Sequence, residues 1–148
     1  MNQISLVLTL LLFCCIPLLA NAASPAPSIK LSPETEKRCL EVLREAINSD
    51  EFWPSMHAAE ALTLAGKGDE VRQIIAPQLK TEKDDQHRCG LARELVRAGD
   101  RSKAAIMFQI LAGKDPHGHV HACESLYKVN ELGDGILIRE AMKSDNPK

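Results

Sequence analysis

The same short punctuation occurs three times in this chain, as Gly68-Asp69, Gly99-Asp100 and Gly133-Asp134, each between two runs with apolar side chains at helical spacing. Glycine suits the left-handed position that ends one helix, and aspartate accepts the free amide hydrogens that start the next. The unit predicted is therefore a helical hairpin. The first helices of the three units offer Ala58, Ala59, Leu62 and Ala65; Cys89, Ala92, Leu95 and Val96; and Cys123, Leu126, Val129 and Leu132 as the faces to be buried. The second helices offer Val71, Ile74, Ile75 and Leu79; Ala104, Ala105, Met107, Phe108 and Leu111; and Ile136, Ile138, Ala141 and Met142. One hairpin cannot bury such a face alone, so the hairpins must stack.

Composition agrees with helices and excludes some partners. Aromatic residues make up 3 % of the chain, and alternating β-branched runs are absent while Ala, Leu, Glu, Lys and Arg recur. A formal net charge of −2 leaves no basic footprint for nucleic acid. Ahead of the hairpins, Ser32-Pro33-Glu34 supplies a cap, a first-turn proline and a first-turn carboxylate. They predict a helix from Pro33 to Asn48 whose apolar face is Cys39, Leu40, Val42, Leu43, Ala46 and Ile47. Pro77 is expected to kink or shorten its helix. The fold expected is all-α, an α-α superhelix (solenoid) of about three helical hairpins with one N-terminal capping helix.

The N-terminus reads as an export signal. Ile4 to Leu19 is apolar apart from Ser5 and Thr9, and Ala20-Asn21-Ala22 follows with the small residues of a cleavage site. The expected organisation is a signal peptide over 1–22, a Pro- and Ser-rich linker over 23–32, the helical repeat domain over 33–143 and a disordered tail over 144–148. That places the protein outside the cell membrane or in the periplasm, free of the membrane once cleaved; an uncleaved segment would anchor it instead.

Met56-His57-Ala58-Ala59-Glu60-Ala61-Leu62, and Asp115-Pro116-His117-Gly118-His119-Val120-His121-Ala122-Cys123-Glu124-Ser125-Leu126 running to Gly133-Asp134, resemble the repeat unit of HEAT-like proteins, the short type associated with phycobilin lyases. The resemblance implies an α-solenoid used for protein recognition. It departs from that repeat at His57, His87 and His121, where arginine is common. No residue matches a tetrapyrrole-handling site, so lyase activity is not carried over. A tetratricopeptide-like repeat is the close rival, because Leu91, Ala92, Leu95, Ala104, Phe108 and Pro116 fall at spacings it accepts. Both are stacks of hairpins.

The chemistry legible in the chain centres on histidines. His57, His87 and His121, spaced 30 and 34 residues apart, form a ladder with one rung per hairpin, about 10 Å between rungs and too far to share an ion. They are candidate binding residues with Trp53, the sole tryptophan, which either seals a helix joint or anchors a partner. His117, His119, His121 and Cys123 form the alternative, a metal-handling or enzyme-accessory site. Ligands at alternate positions converge only on a strand, and a helix begun at Pro116 spreads them around its circumference. Cys89 and Cys123 take equivalent places one hairpin apart, so no disulfide is expected. No nucleophile, phosphate-loop or HExxH pattern occurs. The expectation is a non-catalytic scaffold without cofactor that binds an unidentified protein.

Overall fold

A computed structural model describes residues 30–143. The proposed signal peptide, most of the linker and the tail from 144 lie outside the described residues. Within them the chain is all-α, with no strand. Helix α1 (Pro33–Ile47) starts where the sequence places it: the Ser32 hydroxyl accepts the Thr35 amide at 3.1 Å, and Asn48 closes the helix. Then follow α2 (Phe52–Leu64), α3 (Gly68–Thr81) and α4 (Asp85–Arg97). A 3₁₀ turn (Arg101–Lys103) leads into α5 (Ala104–Leu111), and a second (Pro116–Gly118) leads into α6 (His119–Lys128) and α7 (Ile136–Ala141). No helix among the described residues is long and apolar enough to cross a membrane.

Helices α2, α4 and α6 end alike. Gly66, Gly99 and Asn130 adopt left-handed φ values of 77°, 102° and 56°. The next amide, of Lys67, Asp100 or Glu131, reaches back to the carbonyl of Leu62, Leu95 or Leu126 at 2.9 Å, a Schellman closure that satisfies the last free carbonyls. Counted from these turns, Ala58, Leu91 and Ala122 share one place and Leu62, Leu95 and Leu126 another, and all are buried.

This register corrects the reading of the Gly-Asp pairs. At Gly99-Asp100 the glycine is left-handed and ends α4 as expected, but the Asp100 carboxylate takes the Ser102 hydroxyl at 2.5 Å in place of a helix-starting amide. In the first unit Gly66 makes the turn, while Gly68 opens α3 close to the backbone of Ala98, where an added Cβ would sit 3.4 Å from the carbonyl oxygen. In the third, Asn130 ends α6, while Gly133, also left-handed at φ 57°, follows in the loop and Asp134 accepts the Ile136 amide that starts α7 at 2.9 Å, as the sequence predicts. The histidine ladder shifts with it. His57 and His121 stand nine residues before their turns, but Gly90 holds that place in α4 and His87 lies three residues earlier. Cys89 matches Met56 and Val120, and Cys123 matches Ala59 and Ala92, so the two cysteines are not equivalent. All three described cysteines are free.

The core lies in two clusters, and α4 serves both. Leu91 and Leu95 pack with Ile47, Met56, Leu62, Val71 and Ile75. Cys89, Ala92 and Val96 pack with Met107, Ile110, Leu111, Ala122 and Leu126. Helix α4 touches α2, α3, α5 and α6, and its residues Cys89 to Val96 are buried all round. Several side chains expected inside are exposed: Cys39 and Val42 on α1, then Ala65, Ala105, Leu132, Ile136 and Met142. Helix α3 runs on through Pro77, which is exposed four residues before its end and removes one internal backbone hydrogen bond, to the Gln73 carbonyl.

Candidate functional site: a ring cluster and a charge chain across α2, α4 and α6

The turn register lays three helix faces side by side: Trp53, His57, Glu60 and Leu64 on α2; Gly90, Arg93 and Arg97 on α4; His121, Glu124 and Lys128 on α6. Aromatic rings from the two outer helices meet over the middle one. Trp53 stacks on His121, with ring centroids 5.2 Å apart and planes 24° from parallel. Its neighbour Phe52 stacks on His87 at 3.8 Å and 16°, and meets Trp53 edge-on at 4.8 Å. His87 also stands edge-on to Trp53 at 5.9 Å.

Gly90 is what lets them close. A Cβ there would sit 3.1 Å from Cε1 and Cζ of Phe52 and 3.4 Å from Cζ3 of Trp53. The absent side chain gives the two α2 rings room to lie against the α4 backbone. The aromatic pair thus joins α2 to α4 and α6, besides its contacts with the cluster that includes α1.

Beside the rings runs a chain of charges. Glu94, fully buried, accepts the Arg93 Nε–H at 2.6 Å and Arg97 Nη1–H at 2.9 and 3.1 Å. Arg97 continues to Glu60 of α2 at 2.9 Å. On α6, Glu124 is held below the usual carboxylate range, first by its hydrogen bond from Lys128 and further by the charges of Arg93 and His121. A buried carboxylate between two guanidinium groups is paired and hydrogen-bonded as burial requires. Its effect is to fix the spacing of α2 and α4 on this face. At the edge, His57 is exposed with its ring 3.9 Å from Glu60, and Leu64 is 84 % exposed.

The α4 entrance is pinned separately. Asp84 accepts the His87 amide at 2.9 Å and the His117 Nε2–H at 2.8 Å. These bonds hold its carboxyl below its ordinary range, the amide first and His117 second. The same Asp84 bond raises His117. His87 Nδ1 lies 3.3 Å from Glu82, whose carboxylate is lowered first by the Asp84 amide and then by that of Lys83.

The structure therefore unites Trp53, His87 and His121 and leaves His57 one turn away on the same face. It separates His117, His119, His121 and Cys123. His117 bonds Asp84, His119 Nε2 lies 3.2 Å from the Gly113 carbonyl, His121 stacks on Trp53, and Cys123 packs on the second core cluster. No group of three or more His, Cys, Asp or Glu converges among the described residues. Sequence reasoning missed Phe52 as a ring partner of His87, and with it Gly90 and the Glu60–Arg97–Glu94–Arg93 chain. The available signal was Gly90 itself, since an interior helix glycine marks a close approach. No protein family, no curated protein and no solved structure matches the chain.

Proposed function

We propose that this is an exported, non-catalytic protein-interaction module, built as a HEAT-like stack of three hairpins (α2 with α3, α4 with α5, α6 with α7) under the cap α1. The tetratricopeptide-like alternative has the same working surface. Residues 1–22 serve as the export signal in this reading. The equivalent Schellman turns at Gly66, Gly99 and Asn130 and the succession of contacts from α2 to α4 to α6 support the stack.

The observation that carries the function is the Trp53–His121 stack over Gly90. The stacked rings, and the Glu60–Arg97 pair tied to buried Glu94, hold the face they underlie in place, so it loses little conformational entropy on binding, which favours recognition of a protein. Tryptophan and arginine are the residue types that dominate such interfaces when a rim excludes water from them. His57 and Leu64 supply that rim.

Affinity capture from the exported proteins of the source organism tests the reading. Three forms are compared: wild type, a His57→Ala/Leu64→Asp variant of the rim, and a Lys37→Ala/Glu41→Ala control on the outer face of α1. A protein retained by wild type and control but lost by the rim variant is the expected result. Equal retention by all three, or none by wild type, would overturn the proposal.

A further inference from the structure

We infer that the side of α6 left open by the described residues is a self-association surface, through which two copies of this chain pair about a twofold axis. The turn register shows what such a side does within the chain. Met56, Ala59 and Thr63 form the side of α2 that faces onward along the array, and the matching side of α4 is Cys89, Ala92 and Val96. Helix α4 lies on the first and α6 on the second; Met56, Ala59, Cys89 and Ala92 are 0 % exposed. In α6 the same places are Val120, Cys123 and Tyr127, where Val120 is 53 % and Tyr127 74 % exposed. Among the described residues no helix lies on this side, and of its three side chains only Cys123 is partly buried.

The other end of the array differs. Helix α1 closes it, and its outward side carries the exposed charges Glu34, Glu36, Lys37, Arg38 and Glu45 around the exposed Cys39 and Val42. A polar outer face is what a terminal element of a helix stack needs, and α6 lacks one. Of the eight large apolar side chains exposed among the described residues, five (Val120, Tyr127, Leu132, Ile136 and Met142) fall from α6 onward. That distribution chooses the partner. Head-to-tail association would press Val120 and Tyr127 against an α1 exterior on which five charged side chains surround Cys39 and Val42, whereas twofold pairing presses them against themselves. Twofold contacts also close, so they stop at two copies. The charged neighbours Glu124 and Lys128 are paired with each other at 2.8 Å and place no lone charge at the contact.

The test is molar mass by light scattering and sedimentation between about 1 and about 200 µM, the range in which a modest interface assembles. Wild type should double its mass across that range. Val120→Lys/Tyr127→Lys changes two exposed side chains, so its circular dichroism and melting should match wild type while its mass stays that of one chain. Leu64→Lys, on the binding face of α2, should still dimerise. A wild type that remains single throughout, a Val120/Tyr127 variant that still doubles, or loss of the dimer with Leu64→Lys would each overturn the inference.

Discussion

Replacing Gly90 with alanine sets two known effects against each other. Alanine in a helix interior is better than glycine by about 0.5–1 kcal/mol, because glycine loses more backbone freedom on folding. Against that, the new Cβ meets Cε1 and Cζ of Phe52 at 3.1 Å and Cζ3 of Trp53 at 3.4 Å. Carbon atoms prefer about 3.5–4.0 Å, so both rings must withdraw by several tenths of an ångström. They are backed by the first core cluster and by His87 and His121, which also have to shift. Overfilling of this kind costs about 1–3 kcal/mol, so the net change is a loss of about 1 kcal/mol. Gly90→Leu, with three further carbons in the same space, should lose more than alanine does. Urea unfolding followed by circular dichroism gives the stabilities, and the emission of the single tryptophan reports the ring site directly. Both variants should be less stable than wild type, with Trp53 emission shifted to the red. A Gly90→Ala protein more stable than wild type with unchanged emission would refute the claim that the rings close on this glycine.

Other perturbations follow from the same geometry. Glu94→Ala strands the buried Arg93 beside Arg97 and should cost about 3–5 kcal/mol in urea unfolding, well beyond an ordinary surface change. Leu95→Ala, at a fully buried site in the first cluster, should cost about 2–5 kcal/mol by the same assay. The Asp84–His117 bond makes stability depend on pH at both ends. Because His117 is raised, its contribution is complete below the ordinary histidine value and is lost as pH rises through the raised value; because Asp84 is lowered, its contribution is complete above the ordinary aspartate value and is lost as pH falls through the lowered one. His117→Ala should therefore flatten the loss of stability on the neutral-to-alkaline side, measured as melting temperature against pH. Burial pushes the Cys89 thiol up to about 12, so alkylation of the native protein near neutral pH should label the exposed Cys39 and spare Cys89 until the chain is unfolded.

What the sequence could and could not reveal divides along physical lines. Local signals were readable: Ser32-Pro33-Glu34 starts α1 in place, and the period of Leu62, Leu95 and Leu126 marks residues that are all 0 % exposed. The turns were harder, because Gly66 and Gly68 both lie in the first connection and only tertiary packing decides which takes the left-handed backbone. Asn130 escaped notice because asparagine adopts that conformation less often than glycine. A shift of three residues in the α4 register followed, and it put His87 in the place that Gly90 holds. The ring cluster was only half legible. Trp53, His87 and His121 stood out by residue type, but their meeting depends on α2 and α6 reaching across α4, a contact that no local pattern encodes. Nothing local marks Arg93 and Glu94 as buried, because sequence periodicity does not disclose that α4 is enclosed by four neighbours. The long apolar run at Ile4–Leu19 belongs to the residues outside the described part of the chain.

The binding face exists as proposed only if Trp53 of α2 and His121 of α6 meet across Gly90. Nuclear Overhauser spectra of the protein in solution measure that meeting directly, since the indole of Trp53 is the only one in the chain. Cross-peaks from the indole protons to the His121 imidazole and to the Gly90 α-protons are the predicted result. An indole with cross-peaks to α1 alone and none to His121 or Gly90 would contradict the account.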